Sequence, residues 1–233
     1  MNSNNEPPEE RLVVFAKVPR LGKVKTRLSP PLTTEQALDL HQALVEVTLQ
    51  RLLSISRPML ERCLYLSEPM EDASALEIPS EWKTRTQEGD HLGTRLENAF
   101  REAFDDGIKR LVVLGSDSPT IPLRCLEEAF DVLARYDAVL GPSLDGGYYL
   151  VGCSKYIPEV FHDISWGKST VLRESANALN RAQRSFTYLI DWYDVDTDED
   201  LMRLREEIDF FNREEPESVP QRIADVLPEE SDS

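Results

Sequence analysis

Short apolar runs alternate along this chain with longer segments in which apolar residues recur at helical spacing. The runs at 12–16 (LVVFA) and 110–115 (RLVVLG) are rich in aliphatic and β-branched residues, as expected of strands that are covered on both faces. Five further strands are predicted, at 62–67, 82–87, 137–141, 147–153 and 186–190.

Helical periodicity fills the intervals between these strands. Thr33 is followed three residues later by Gln36, the signature of a capping box, and a long stretch with apolar residues at 3.6-residue spacing comes next. The sequence therefore predicts a long first helix. Further helices are predicted at 92–106, at 123–136, near 169–182 and at 198–208.

The alternation of strands and helices predicts an α/β domain with a mainly parallel sheet, because each helix carries the chain back to begin another parallel strand. In sheets of this kind, ligands bind at the carboxyl ends of the strands, close to a switch in strand order. We therefore expect the functional residues directly after the strands.

The composition changes at both ends of the chain. Residues 1–10 and 213–233 are polar, acid-rich and interrupted by proline, so we expect them to be mostly disordered. A short helix is predicted within 219–227 of the second segment. The remaining residues, 11–212, contain no repeat and no linker, and they predict one ordered domain.

Charge and cysteine content narrow the class of protein. The chain of 233 residues has a formal net charge of −17, which argues against binding to nucleic acid or to an anionic membrane, since both need a broad basic face. Three widely spaced cysteines without a CxxC pair fit reduced thiols. No apolar run approaches the ~18 residues of a membrane span, and the N-terminus has no secretory signal. We expect a cytoplasmic protein without membrane insertion.

Against this acidic background, the segment KVPRLGKVKTRL at 17–28 carries five cations and no acid. Its Lys and Arg side chains suit phosphate oxygens, and Gly22 allows the backbone to turn or to approach a ligand closely. A solvated basic loop has the same composition, but the position after a buried strand favours a phosphate site. The segment matches neither a GxxxxGK[ST] loop nor a GxGxxG fingerprint.

Acidic residues follow two of the predicted strands in a way that suits a divalent cation. Asp117 comes directly after the strand at 110–115, where one carboxylate can hold Mg²⁺ or Mn²⁺ together with ligand phosphates. A simple turn explains this segment equally well. Asp194 and Asp196 occupy alternate positions before a helix, so both can point to one side and supply a second metal ligand. Helix capping is the alternative there.

Three other features carry weaker signals. Asp145, Gly146 and Gly147 are best explained by a turn between two strands, although paired glycines also suit a backbone close to a ligand. Arg95, at the start of a predicted helix, either faces the same cleft or lies on the surface. Trp166 offers a ring that stacks on a ligand or, more commonly, packs in the core.

Taken in order, several of these segments make the chain similar to the DUF2064 family, whose members are described as glycosyltransferase-like. The resemblance covers about residues 11–205 and implies a single domain with the GT-A fold of nucleotide-diphospho-sugar transferases, in which helices flank a mostly parallel central sheet. It rests on six segments: KVPRLGKVKTRL, LGTRL, GSDSPTIP, LGPSLDGGYYLVG, WGKSTV and DVDTDEDL.

The resemblance implies roles for individual residues. Asp117 corresponds to the metal-binding acid of a shortened DxD motif, because Pro119 stands where the second Asp is expected. Asp196, with Asp194 beside it, corresponds to a late acidic position that completes the metal site. The set expected at nucleotide and phosphates is Lys17, Gly22, Lys25, Thr26, Arg27, Gly93, Arg95 and Ser116, and the set on the acceptor or sugar side is Asp145, Gly146, Gly147 and Trp166.

These assignments predict a transferase that depends on Mg²⁺ or Mn²⁺, with glycosyl transfer from a nucleotide sugar to a small-molecule acceptor as the leading reaction. Lys25 and Arg27 are expected to stabilise charge on the leaving phosphate, and Asp145 to orient the acceptor or take its proton. One alternative is a guanylyltransferase-like nucleotidyltransferase, in which a phosphorylated acceptor attacks an NTP and pyrophosphate leaves. The other is a nucleotide-binding protein without catalysis.

Overall fold

The computed structural model describes residues 7–69, 75–214 and 221–227, which fold around a seven-stranded sheet. The strands are β1 (Glu10–Ala16), β2 (Leu60–Leu66), β3 (Trp82–Thr86), β4 (Arg110–Gly115), β5 (Ala138–Pro142), β6 (Tyr148–Cys153) and β7 (Phe186–Tyr188). Their order across the sheet is β3-β2-β1-β4-β6-β5-β7. All run parallel except β6, which is antiparallel to β4 and β5. The predicted α/β class with a mostly parallel sheet is confirmed.

Helices flank the sheet at the predicted places. The first begins with the predicted capping box, because Thr33 and Gln36 exchange hydrogen bonds between side chain and backbone at 2.8 and 3.2 Å. The third ends at Val132, four residues earlier than expected, since the backbone N–H groups of Arg135 and Tyr136 both turn to the Val132 carbonyl. The helices are α1 (Thr34–Leu52), α2 (Leu92–Asp105), α3 (Leu123–Val132), α4 (Val171–Arg181), α5 (Asp198–Glu214) and α6 (Gln221–Val226).

The core has one layer on each face of the sheet and a third outside α1. Successive side chains of a strand point to opposite faces. Leu12 and Val14 of β1 therefore join the layer formed with α1 and α3, whereas Val13 joins the layer formed with α2 and α4. The third layer joins the other side of α1 to α5 and α6, with Leu40 and Ile223 among its fully buried members.

The strand order reverses beside β1. After β3 the chain crosses to the opposite side of β1 and forms β4, which pairs with β1 in parallel. The loops that follow β1 and β4 therefore leave from adjacent carboxyl ends. A reversal of this kind leaves a crevice above the sheet, and the basic segment at 17–28 and the acid at 117 both lie at its mouth.

The domain extends beyond the predicted bounds of 11–212 at both ends. Glu10 begins β1, is 3% exposed and accepts hydrogen bonds from Arg57 and Arg110. At the other end, α6 packs against α1 through the buried side chain of Ile223. Local composition shows neither contact, because both partners are distant in sequence. Residues 1–6, 215–220 and 228–233 of the predicted tails lie outside the described residues.

The cysteines all face the interior. Cys63 in β2, Cys125 in α3 and Cys153 in β6 are buried free thiols. Within the part of the chain that the structure describes, no helix is long and apolar enough to cross a membrane.

Candidate active site

A cavity of about 370 Å³ opens where the carboxyl ends of β1 and β4 meet. Its floor is apolar and includes Phe15 and Ala16 at the end of β1. The strand order, and not the sequence spacing, brings the charged residues of its walls together. Those walls include six residues predicted for the site: Lys17, Lys25, Arg95, Ser116, Asp117 and Asp196.

The loop after β1 reaches this cavity along an unusual backbone path. Gly22 has φ +70°, a conformation that favours glycine. Lys25 is also left-handed, with φ 46° and ψ 35°, which costs a residue with a Cβ about 1–2 kcal/mol. A single 3₁₀ turn at Thr26–Leu28 follows, and Leu28 is fully buried. The buried leucine anchors the loop while Lys25 turns inward.

The side chain of Lys25 lies within the cavity wall, with 3% of its surface exposed. Its Nζ is 2.5 Å from Oδ1 of Asp117 and 3.3 Å from Oδ1 of Asp196. Nζ also donates a hydrogen bond of 2.7 Å to the Val195 carbonyl oxygen. The backbone N–H of Val195 in turn donates to the carbonyl of Asp117 at 2.8 Å, so the spacing of the two acids is fixed by the main chain.

Lys25 and Asp117 hold each other in their charged forms. Burial alone would lower the pKa of Lys25, but the charges of Asp117 and Asp196 outweigh burial and raise it. Burial of the inner oxygen would raise the pKa of Asp117, and the ammonium of Lys25 outweighs that effect and lowers it. The Asp117 and Asp196 side chains remain 40% and 43% exposed, so both carboxylates also face the cavity.

Asp194 has a different set of partners. Its Oδ1 accepts a hydrogen bond from Ser118 Oγ and its Oδ2 accepts one from Ser143 Oγ, each 2.7 Å long. Burial raises the pKa of Asp194, although the two hydrogen bonds act to lower it. The nearby charges of Asp117 and Asp145 raise the pKa further. Asp194 thus ties the segment after β4 to the segment after β5.

The residues fit a divalent cation as a two-carboxylate site. Among the residues that the structure describes, no group of three His, Cys, Asp or Glu could hold a metal ion, so Asp117, Asp194 and Asp196 do not form the predicted three-acid set. Oδ1 of Asp117 is buried, and no described residue makes a hydrogen bond of good geometry to it. Its contact with Lys25 is an ion pair. Mg²⁺ is often held by one or two carboxylates with substrate phosphates completing its shell. Asp117 and Asp196 match that donor set.

The other predicted cations surround the cavity at different depths. Arg27 is 77% exposed at the rim, with NH1 3.9 Å from Oδ2 of Asp196. Arg95 is held by two hydrogen bonds, from Nε to a loop carbonyl at 2.9 Å and from NH1 to Oε1 of Gln87 at 3.3 Å. Lys17 lines the cavity directly. Thr26, expected near the phosphates, is exposed in the short 3₁₀ turn.

The predicted acceptor loop forms a tight turn. Oδ1 of Asp145 accepts a hydrogen bond from the backbone N–H of Gly147 at 2.8 Å. Gly146 has φ +90°, and a Cβ at this position would lie 2.2 Å from the carbonyl oxygen of Ser169. The turn explanation offered from sequence therefore accounts for both glycines, and close packing on the residues before α4 adds a second reason for Gly146.

Gly93 and Trp166, predicted for different parts of the site, contact each other. A Cβ on Gly93 would lie 2.2 Å from Nε1 of the Trp166 ring, so the indole covers the start of α2. The same ring meets Tyr148 edge-on, with centroids 6.1 Å apart. The structure gives both residues a packing role between α2 and the segment before α4.

Two residues without a predicted role also face the cavity. His41 on α1 is 3% exposed, and its Nε2 donates to the Lys17 carbonyl oxygen at 3.0 Å. Gln87 donates from Nε2 to the carbonyls of Ala16 at 3.2 Å and Tyr65 at 2.8 Å. Its place at the end of a predicted strand is the signal that could have revealed Gln87. The spacing of His41 gives no such signal.

Comparison with known proteins gives one family and one fold. A model of the family described as "Uncharacterized protein conserved in bacteria (DUF2064)" matches residues 48–168, just over half of the chain. The 2-phospho-L-lactate guanylyltransferase of Methanocaldococcus jannaschii is 24% identical over 195 residues, which are 82% of this chain and 81% of that protein.

Solved structures extend the similarity to nearly the whole chain. A candidate nucleotide-diphospho-sugar transferase from Desulfovibrio desulfuricans G20 superposes with a TM-score of 0.81 at 32% identity, covering 94% of this chain and 96% of that one. The manganese complex of Rv0371c from Mycobacterium tuberculosis H37Rv superposes with a TM-score of 0.51 at 17% identity, covering 86% and 100%. At that identity the second match shows the fold alone.

These similarities agree with the position of the cavity, because ligands of α/β enzymes bind where the strand order reverses. The M. jannaschii protein is a guanylyltransferase and the D. desulfuricans protein is described as a candidate transferase. The chain is an enzyme of the transferase class with the fold of the nucleotide-diphospho-sugar transferases. As the resemblance of its motifs implied, and as the match over more than half of its length shows, the chain belongs to the DUF2064 family.

Proposed function

We propose that the protein is a metal-dependent nucleotidyltransferase that joins the nucleoside monophosphate part of an NTP to a phosphorylated small-molecule acceptor. The observation that carries the proposal is the cavity that brings Lys17, Lys25 and Arg95 together with Asp117 and Asp196. Three cations beside two acids suit a ligand with several phosphates and a divalent cation. The similarity to the guanylyltransferase of M. jannaschii supports this reaction over others of the fold.

The proposed chemistry needs little from the protein beyond charge and position. The acceptor phosphate is already an anion, so one of its oxygens attacks the α-phosphorus without a general base. A bond forms between that oxygen and the α-phosphorus, the bond to the bridging oxygen breaks, and its electron pair leaves with pyrophosphate. Lys17, Lys25 and Arg95 stabilise the negative charge that grows on the phosphate oxygens.

Asp117 and Asp196 are the residues that would hold Mg²⁺ or Mn²⁺. When bound, the ion neutralises further phosphate charge, and the manganese complex of Rv0371c supports its use in this fold. Asp194 acts as a positioning residue, because its bonds to Ser118 and Ser143 fix the loops around the acids. Arg27, at the rim, meets the outermost phosphate or the acceptor.

Glycosyl transfer from a nucleotide sugar, the reaction favoured from sequence, is the second candidate. It is supported by the similarity to the D. desulfuricans protein, which is described as a candidate nucleotide-diphospho-sugar transferase. An acceptor hydroxyl needs a base, and Asp145, expected in that role, has Oδ1 engaged in the turn with Gly147. Because nucleotidyl transfer to a phosphate needs no base, we place it first.

The released product separates the two reactions. The protein is incubated with Mn²⁺, each NTP or nucleotide sugar, and panels of phosphorylated and hydroxyl acceptors, and pyrophosphate is the expected product. Nucleoside diphosphate release would establish the second candidate instead. Asp117→Asn should lower turnover by about 100-fold, whereas Asp39→Asn, at an exposed position of α1, should leave it unchanged. If neither product forms and no nucleotide raises the melting temperature, both candidates are wrong.

A further inference from the structure

Lys25 occupies the place that the proposed function assigns to a divalent cation. Its ammonium contacts one oxygen of Asp117 at 2.5 Å and one oxygen of Asp196 at 3.3 Å. Among the described cations, it is the one within ion-pair distance of both acids, since Arg27 reaches Asp196 alone. The protein therefore provides its own positive charge for the carboxylate pair.

Several contacts keep Lys25 in this position. Its side chain is almost fully buried, and the Val195 carbonyl accepts a further hydrogen bond from Nζ. Its backbone is left-handed, a conformation that persists for a lysine only where surrounding contacts maintain it. The loop thus tolerates backbone strain to hold the ammonium among carboxylates, although the proposed reaction needs that ammonium at phosphate oxygens.

An ammonium and a divalent cation repel each other, so both cannot occupy contact positions on the same two oxygens. At these two oxygens, Lys25 and the ion therefore compete. Because the Asp117 and Asp196 side chains are each about two-fifths exposed to the cavity, an ion from solvent has access to them. The ammonium of Lys25 is therefore the group with which such an ion would compete.

We infer that Lys25 is an internal counter-ion that keeps free metal ions off the Asp117–Asp196 pair until nucleotide phosphates offer the ammonium other oxygens. The identity of those phosphates rests on the proposed function, whereas the competition between Lys25 and the metal does not. The inference implies an order of binding. The ion enters with the nucleotide, as a metal–nucleotide complex, and not ahead of it.

Mn²⁺ alone tests the competition, with free Mn²⁺ followed by electron paramagnetic resonance in solutions of the nucleotide-free full chain. Lys25→Met removes the charge and keeps the length of the side chain. It should bind Mn²⁺ at least about tenfold more tightly than the wild type, because a repelling charge next to the site is gone. Lys23→Met, at an exposed position of the same loop, should bind Mn²⁺ as the wild type does.

Two further variants make the result specific. Adding Asp117→Asn to Lys25→Met should abolish the gain in Mn²⁺ affinity, since one of the two carboxylates is lost. Lys25→Asn covers the case in which Lys25→Met does not fold, because asparagine tolerates the left-handed conformation and is too short to reach the acids. A Lys25 variant that folds only when Mn²⁺ is added also supports the inference, since the ion then replaces the missing ammonium.

Binding of Mn²⁺–NTP, measured on the same proteins, has the opposite expectation, with Lys25→Met at least about tenfold weaker than the wild type because a phosphate ligand is lost. Equal affinity for free Mn²⁺ in the wild type and both Lys25 variants overturns the inference, even where nucleotides bind. Tighter Mn²⁺ binding in the variants, with no NTP or nucleotide sugar bound by any protein, supports the inference and contradicts the proposed function.

Discussion

His41 links the loop after β1 to the helix α1 through one hydrogen bond. Its Nε2 donates to the carbonyl of Lys17, so the neutral ring carries its proton on that nitrogen. Burial lowers the pKa of His41, and the charges of Lys25 and Lys17 lower it as well. The charge of Asp117 and the Lys17 carbonyl act in the opposite direction without cancelling these effects. The folded protein therefore favours the neutral imidazole.

Acidification should destabilise the protein through His41. Its folded pKa lies below the ordinary value of 6.5, so below that pH the unfolded chain binds more protons than the folded one. The free energy of unfolding then falls as the pH drops from 6.5 through the folded pKa, by about 1.4 kcal/mol for each unit of pKa lowering. Urea unfolding at several pH values measures this slope.

His41→Gln should flatten that part of the stability curve, because glutamine keeps a donor for the Lys17 carbonyl but does not titrate. An identical slope in the wild type and His41→Gln would show that the buried ring titrates at its ordinary pKa.

At the scale of elements, the turn between β5 and β6 packs directly on the backbone before α4. A Cβ on Gly146 would meet the Ser169 carbonyl oxygen at 2.2 Å, and the Gly146 carbonyl accepts a hydrogen bond of 3.0 Å from the Leu172 N–H. This contact holds the hairpin, and with it Ser143 and Asp145, at a fixed distance from α4. The close contact is possible because Gly146 has no side chain.

Gly146→Ala should therefore cost more stability than a left-handed conformation alone explains. Gly107 is a matched control, since its φ of +86° is close to the +90° of Gly146 but a Cβ there would meet nothing within 4 Å. Gly107→Ala is expected to cost about 1 kcal/mol, and Gly146→Ala about 1–3 kcal/mol more because of overpacking. Denaturant titration measures both, and equal losses would mean that the segment around Ser169 moves away without penalty.

The elements themselves were predictable because their signals are local. The apolar runs of β1 and β4 and the pair Thr33 and Gln36 act within a few residues of where they stand. The contact between Gly93 and Trp166 joins residues that are far apart in the chain, so no local pattern shows it.

The candidate site also has features that local sequence signals predict and features that they do not. Sequence placed Lys25, Asp117 and Asp196 after strands, which was enough to predict that they lie near one another. That the ammonium fills the space between the acids, and that Asp194 turns to two serine hydroxyls, follows from side-chain directions and from the strand order. Neither can be obtained from spacing.

The whole molecule has a third apolar layer, beyond the two faces of the sheet, where α5 and α6 cover the outer side of α1. The helix α6 has six residues, too few to be stable alone, so its order comes from packing. Ile223 is fully buried in that layer, and Arg222 adds an ion pair of 3.2 Å with Glu46 of α1. The C-terminal segment thus belongs to the folded unit and is not a solvated tail at this point.

Ile223→Ala tests whether α6 contributes to global stability. Removing a buried isoleucine side chain should lower the free energy of unfolding by about 2–4 kcal/mol. Met202→Ala on α5, at a position that is 50% exposed, should change it by less than about 0.5 kcal/mol. Thermal and urea unfolding measure both, and a small effect of Ile223→Ala would place α6 outside the cooperative unit.

The three buried thiols can be used to measure local opening of the fold. Burial raises the pKa of Cys63 to about 11 and also raises the pKa of Cys125 and Cys153. Alkylating reagents attack thiolates, so each sulfur is protected both by lack of access and by its proton. Modification must wait until β2, α3 or β6 separates from its neighbours. The rate of alkylation at each cysteine therefore reports how often that part of the fold opens. The loop that carries Lys25 contains no cysteine, so its motions do not contribute to these rates.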